Sequence, residues 1–180
     1  SGISSFFEGK YGVINQYDIS LAALSPRLWW KLNDATGSST VADSSGNGFT
    51  GTASNVSLGS SWIIPANTSA SFTSTSSITS SYTPSTGAQS FLVWVRPTST
   101  TGLIATTVNG STGWSMTSAS SGTRITFTFY MDGGVVTNYT ATVTVNQWHL
   151  IGMSYDGTTM SWYQDGVLTS TGRSGVLDAG

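Results

Sequence analysis

The sequence predicts an all-β protein, an antiparallel two-sheet β-sandwich, and three observations predict it. The first is a pair of runs, Trp148 to Tyr155 and Met160 to Gln164, in which large and small residues alternate. Asp156-Gly157 lies between them and Asp165-Gly166 follows the second. Alternation at period two marks a half-buried strand, and Asp-Gly suits a tight hairpin turn because both residues tolerate positive φ. The second is Arg124 to Met131, where Ile125, Phe127 and Phe129 share one face and Thr126, Thr128 and Tyr130 the other. The third is composition. The chain has 180 residues and no cysteine, with 7 tryptophans, 7 tyrosines and 7 phenylalanines to supply a core. Serine and threonine make up roughly a third of it, well above ordinary usage. Such a Ser/Thr content by itself suggests disorder. The alternating aromatic residues argue against that, and Thr suits the solvent face of a strand.

The elements follow in order. Residues 1–27 differ from the rest: Phe6, Phe7, Val13, Ile14, Ile19, Leu21 and Leu24 suggest one or two short helical turns, limited by Gly9, Gly12 and Pro26. They form an N-terminal arm, partly helical. Leu28-Trp29-Trp30-Lys31-Leu32 is expected as the first strand, with Leu28, Trp30 and Leu32 on one face. A polar loop runs from Asn33 to Gly51. Strands are then expected at Ala70 to Thr73 and at Phe91 to Arg96, the latter stopped by Pro97. Further strands are expected at Leu103 to Thr106, Gly113 to Met116, Arg124 to Met131 and Val135 to Val145, ahead of the closing pair. About ten short strands with regular turns make a sandwich rather than a helical or mixed fold.

Charge narrows the function. Charged residues are 8% of the chain and the net charge is −2. That leaves no electrostatic handle on nucleic acid or on an acidic membrane. The absence of cysteine excludes disulfides and Cys-ligated metals. No segment is long and apolar enough to span a bilayer, and no signal peptide is recognisable at the start.

The order of motifs carries a resemblance. Leu28-Trp29-Trp30-Lys31-Leu32 is followed by Asp43-Ser44-Ser45-Gly46-Asn47-Gly48-Phe49-Thr50-Gly51, then Phe72, Ser90 to Pro97, and Gly113-Trp114. Gln147-Trp148-His149-Leu150, Tyr155-Asp156-Gly157 and Trp162-Tyr163-Gln164-Asp165-Gly166 complete the set. This series resembles the laminin-G-like domain of the concanavalin A-like lectin/glucanase jelly rolls, over residues 28 to about 177. The lead-in Leu21-Ala22-Ala23-Leu24-Ser25-Pro26 is similar to the segment that precedes such domains in phage and bacterial surface proteins. The resemblance implies a jelly-roll domain over 28–180 after an arm over 1–27. It also implies two further strands past the equivalent of Leu177, with three explanations for their place here: the chain is a segment of a longer protein with tandem domains, the arm fills the place, or a neighbouring subunit supplies a strand. Ile3 to Gly12 resembles the short helix that usually closes such a domain.

Candidate sites were weighed against plainer roles. A glycosidase needs two carboxylates flanking a cleft, and the concanavalin-like glucanases carry paired glutamates on one strand. This chain has one glutamate, Glu8, outside the expected β-domain. Asp156 and Asp165 stand at turn positions, where Asp is expected for backbone reasons. His149, the one histidine, sits in a strand motif where the resemblance implies a structural role. Asp34, Asp43 and Asn47 are the candidate ligands for Ca²⁺ at a loop rim, against a loop that Asp43 caps. The resemblance assigns Trp30, Trp94 and Trp148 to core positions. Trp29, Trp62, Tyr130, Tyr139 and Trp162 are the candidates for stacking on a sugar or for subunit contacts.

The expectation is therefore a non-enzymatic structural or adhesion module on a virion surface (tail, fibre or capsid decoration), with capacity for glycan binding. Its partners would be other subunits, as a homo-oligomer or virion assembly, or a surface glycan, with no nucleic acid and no membrane. The alternative is a carbohydrate-binding module of a secreted or cell-surface bacterial protein. Cofactors are expected to be none, or Ca²⁺.

Overall fold

A computed structural model of the protein describes residues 16–61, 67–98, 102–106, 113–131 and 135–174. Two compact units divide the chain, one ending at Tyr82 and the other beginning at Thr83. Both are built from antiparallel strands, as the sequence predicts. No helix among the described residues is long and apolar enough to cross a membrane.

The first unit opens with helix α1 (Gln16–Ala23). Leu24 and Ser25 donate their N–H groups back to Leu21 O and Ala22 O, Ser25 turns to φ 50°, and Pro26 follows. This is a left-handed cap at the end of the helix, and the proline after it cannot continue the helical bonding. Five short strands follow: β1 (Thr40–Val41), β2 (Gly51–Ser54), β3 (Ser57–Ser61), β4 (Thr68–Ser71) and β5 (Ser77–Thr79). They form a β1-β2-β5 sheet and a β3-β4 pair. Val41 and Leu58 are buried, and Trp30 lies over Gly51. A Cβ at Gly51 would meet Ile78 Cγ2 at 2.6 Å and Trp30 Cζ2 at 3.0 Å, so glycine lets the indole approach the strand. The indole N–H of Trp30 donates to Phe49 O at 2.9 Å, and Phe49 meets Tyr82 edge-on at 5.2 Å.

Residues 28–32 correct the expected first strand. They make one isolated bridge, Trp30 to Asp43. Leu32 adopts φ 59°, which no strand residue can hold. The N–H of Trp29 is taken by the Asp43 carboxylate instead of a ladder. The expected strand at Ala70 to Thr73 begins and ends earlier, and Phe72 lies beyond it, half exposed to solvent. Strands β1, β2, β3 and β5 were not legible, because Ser, Thr and Gly fill them and apolar alternation is absent.

The second unit is a sandwich of two four-stranded sheets. Its strands are β6 (Gln89–Val95), β7 (Gly102–Thr106), β8 (Trp114–Ala119), β9 (Arg124–Met131), β10 (Val135–Thr142), β11 (His149–Tyr155), β12 (Thr159–Gln164) and β13 (Val167–Ser174). One sheet runs β10-β9-β8-β7 and the other β13-β12-β11-β6. The chain thus leaves the second sheet after β6, builds the first as a meander, and returns for the last three strands. Alternation aims one face of each sheet at the other. Trp114 and Met116 on β8, and Ile125, Phe127 and Phe129 on β9, face Ile151, Met153 and Tyr155 on β11 and Met160 and Trp162 on β12. Thr126, Thr128 and Tyr130 alternate with the buried residues of β9, as expected.

Trp162 corrects an expectation. A candidate sugar platform in the sequence, it is 1% exposed at the centre of the core, 5.3 Å from the Phe127 ring and 5.0 Å from Phe129. Its pairing with Met153, across the hairpin, turns it inward. Trp94 departs the other way. It pairs with Leu150, between the inward pairs Val93–Ile151 and Val95–His149, and lies half-buried off the core. Trp148 is also half-buried.

The two Asp-Gly turns differ. Asp165 (φ 53°) and Gly166 (φ 83°) join Gln164 to Val167 as a two-residue hairpin with both φ angles positive, as the sequence predicts. Asp156 instead keeps an ordinary φ in a longer loop, and its Oδ1 accepts the N–H groups of Thr158 and Thr159. This is an Asx-type turn, another way for Asp to hold a bend.

Trp162→Ala is expected to cost about 3–5 kcal/mol, the usual range for removing a buried large aromatic ring. Trp94→Ala should cost about 1 kcal/mol, in line with a partly exposed position. Urea unfolding monitored by circular dichroism checks the order; equal losses would refute the inward assignment of Trp162.

Candidate functional site

In the first unit, the end of α1, the residues after it and the loop after β1 enclose an open groove of about 370 Å³. Ala22, Ser25, Pro26, Arg27, Trp29, Ser44, Ser45 and Asn47 line it. Its shape depends on Asp43. One carboxylate oxygen accepts the N–H of Trp29 at 3.0 Å and of Ser45 at 2.9 Å, and the other accepts the N–H of Phe49 at 2.9 Å. Three amides from two segments thus converge on one side chain and hold Trp29 against the loop. Asn47 closes the ring: its Nδ2 donates to Arg27 O at 3.1 Å and to Pro26 O at 3.3 Å. Ser45 Oγ donates to Arg27 O as well.

Partial burial pushes the Asp43 carboxyl up. The hydrogen bonds from Ser45, Trp29 and Phe49 outweigh it and hold the group below the ordinary aspartate range. Asp165, on the second unit, is likewise raised by burial but brought below that range by His149, Leu150 N–H and Gln164.

The calcium candidates are committed elsewhere. Asp43 spends both oxygens on amide N–H groups, Asp34 Oδ1 accepts Ala42 N–H at 2.9 Å, and Asn47 turns its nitrogen inward. No three His, Cys, Asp or Glu side chains gather among the described residues. Calcium needs six or more oxygens, and two aspartates and one asparagine carry fewer than that between them.

Of the aromatic candidates among the described residues, Trp29 lines this groove. Lys31 Nζ lies 4.6 Å from its ring centroid and pairs with Asp18 at 2.9 Å. Lys31 is not among the residues that line the groove. Tyr130 is half-buried on the outward side of β9. Tyr139 stacks on Trp162 at 4.9 Å with planes 3° apart, and its hydroxyl bonds Thr169 Oγ1, so it is packed within the second unit instead of standing free as a platform. Trp62 lies outside the described residues, as do Glu8 and Ile3 to Gly12. Arg27, Ser44 and Ser45 were missed by sequence reasoning. The one available signal was the scarcity of charge, which makes any arginine beside an exposed tryptophan informative.

His149 holds structure, as expected. It is 8% exposed. Its Nε2 lies 3.1 Å from Thr144 N, whose N–H it accepts, and 3.3 Å from Thr144 O, while its Nδ1 meets Asp165 Oδ2 at 3.0 Å. Asp165 Oδ1 also accepts Leu150 N–H, which ties the hairpin turn to β11.

The groove and the sandwich can now be set beside known proteins. Residues 72–179, more than half of the chain, match a laminin G family model described as the Concanavalin A-like lectin/glucanases superfamily. The chain belongs to this family. The matched stretch includes all but the last residue of the second unit, and the Trp29 groove lies upstream of it. Three solved structures share the fold. The botulinum neurotoxin serotype G binding domain is 18% identical with a TM-score of 0.57, over 77% of this chain and 39% of that one. The binding domain of botulinum neurotoxin DC in complex with rat synaptotagmin II is 15% identical with a TM-score of 0.60, over 86% and 42%. The same binding domain in complex with SialylT is 14% identical with a TM-score of 0.54, over 83% and 43%. The chain thus spans about two fifths of the length of these proteins. No curated protein sequence matches it.

Asp43→Asn keeps the shape but turns one acceptor oxygen into a donor facing an N–H. It is expected to lower stability by about 1–2 kcal/mol at pH 7. Because the folded-state pKa is depressed, the wild-type advantage is fully present above the unfolded value of about 3.9 and is lost as pH falls through the lower folded value. Thermal melts of both proteins from pH 7 to pH 2 should converge at the acid end. Adding calcium or EDTA should leave the melting midpoint unchanged, whereas a rise with calcium concentration would establish a metal site.

Proposed function

We propose that the chain is a non-catalytic carbohydrate-recognition module displayed on an extracellular or virion surface, with the Trp29 groove as its binding site. One observation carries this: an indole held rigidly at the wall of an open groove whose remaining lining is hydroxyl, amide and guanidinium. A pyranose has an apolar face to stack on the ring and hydroxyls for the polar rim. Membership of a lectin/glucanase family supports the reading, as do fold relatives that are toxin binding domains. In this reading the arm over 1–27 and the domain over 28–180 both contribute to the site, the arm through Ala22, Ser25, Pro26 and Arg27.

The non-enzymatic part rests on where the acids go. Asp18 pairs with Lys31, Asp34 and Asp43 hold loop amides, Asp156 holds its own turn, and Asp165 holds His149 and Leu150. Each described aspartate is engaged in structure, and glycoside hydrolysis needs two that are not.

A second reading, assembly with further subunits on a virion, is favoured by the outer strands. Val167 and Leu168 on edge strand β13, and Leu103 on edge strand β7, are each more than half exposed. Exposed apolar residues on an unpaired edge invite another strand.

Screening on a glycan array should find a bound saccharide class, and Trp29→Ala should abolish that binding with the circular dichroism spectrum unchanged. A full array without a hit, together with a concentration-dependent oligomer that Leu168→Lys dissolves, would decide for assembly.

A further inference from the structure

The charges around the groove do not balance, and the imbalance is local. Lys31 is matched by Asp18 at 2.9 Å. Asp43 lies behind the groove with both oxygens turned to backbone amides. Arg27 lines the groove and is exposed, and no carboxylate among the described residues lies within ion-pair distance of it. In a chain with net charge −2 and only 6 basic residues, a cation without a carboxylate partner in the same groove lining as Trp29 stands out.

Its backbone is also fixed. Pro26 precedes it, and its carbonyl accepts from both Asn47 Nδ2 and Ser45 Oγ. These bonds tie the segment carrying the guanidinium to the segment carrying the serine hydroxyls, so less ordering is needed on binding. With Asn47 Nδ2 committed to carbonyls, the same amide keeps Oδ1 as an acceptor for a sugar hydroxyl. A guanidinium matches a carboxylate with two parallel hydrogen bonds, which a neutral hydroxymethyl group cannot reproduce.

We propose that the groove selects a carboxylate-bearing pyranose, its acid group bound by Arg27 and its apolar face resting on Trp29. This deepens the carbohydrate-recognition reading above and rests on it.

The test uses two oligosaccharides that differ only at their terminal residue, glucose in one and glucuronic acid in the other, titrated by calorimetry or ligand-observed NMR. The acidic probe should bind about tenfold more tightly in low salt, with the advantage shrinking as salt rises. Arg27→Gln should bring the acidic probe down to the level of the neutral one, and Arg27→Lys should recover part of the difference. Trp29→Ala should weaken both probes. Equal affinities for the two probes, or a preference that survives Arg27→Gln, would overturn acid selection and leave sugar binding intact. Loss of neither probe on Trp29→Ala would overturn the groove as a sugar site, and this proposal with it.

Discussion

Trp162 sits between the two sheets of the second unit, against Phe127 and Phe129 on one strand and Tyr139 on the next. A sandwich of short strands gains little from any one ladder; it is held by what its inner faces bury together. Here the burial is aromatic. Phe127 and Phe129 stack along β9 at 6.2 Å, and Phe91 reaches Trp114 at 4.8 Å. With no disulfide and almost no charge, the alternation that aims these rings inward is what keeps the sheets together. The end of the sandwich is then fastened by polar bonds. His149 joins Thr144 to Asp165, and Gln164 Nε2 donates to Thr142 O at 2.9 Å.

The first unit is organised differently. It has short strands and few large buried side chains, so one carboxylate does what an aromatic core does elsewhere. Asp43 gathers three backbone amides that would otherwise lack partners in a loop rich in Gly and Ser. The same bonds hold Trp29 at the groove wall. Stability and site are therefore coupled at this residue, which caps the loop as the sequence allowed.

Much of this was legible beforehand. Ile125, Phe127 and Phe129 announce their face by strict alternation, and the Asp165-Gly166 turn by its two positive φ angles. Trp29 was identified because it neighbours Trp30 with opposite direction. The misreadings share a cause. Trp94 was placed in the core by resemblance and Trp162 outside it, and the alternating runs that hold them define two faces without saying which is buried. Register decides that: Trp162 is opposite Met153, and Trp94 opposite Leu150. Residues 28–32 show the reverse failure, a convincing strand pattern broken by Leu32 at positive φ.

By itself the sequence determined the class of fold, the positions of the long strands of the second unit and the improbability of paired catalytic acids, because periodicity and residue inventory are local properties. Tertiary structure alone decided that Arg27, Trp29, Ser45 and Asn47 share a groove and that Tyr139 stacks on Trp162. These groupings arise where hydrogen bonds across 18 to 21 positions draw separate segments together. No local pattern encodes which carbonyl an asparagine will find once the chain has closed.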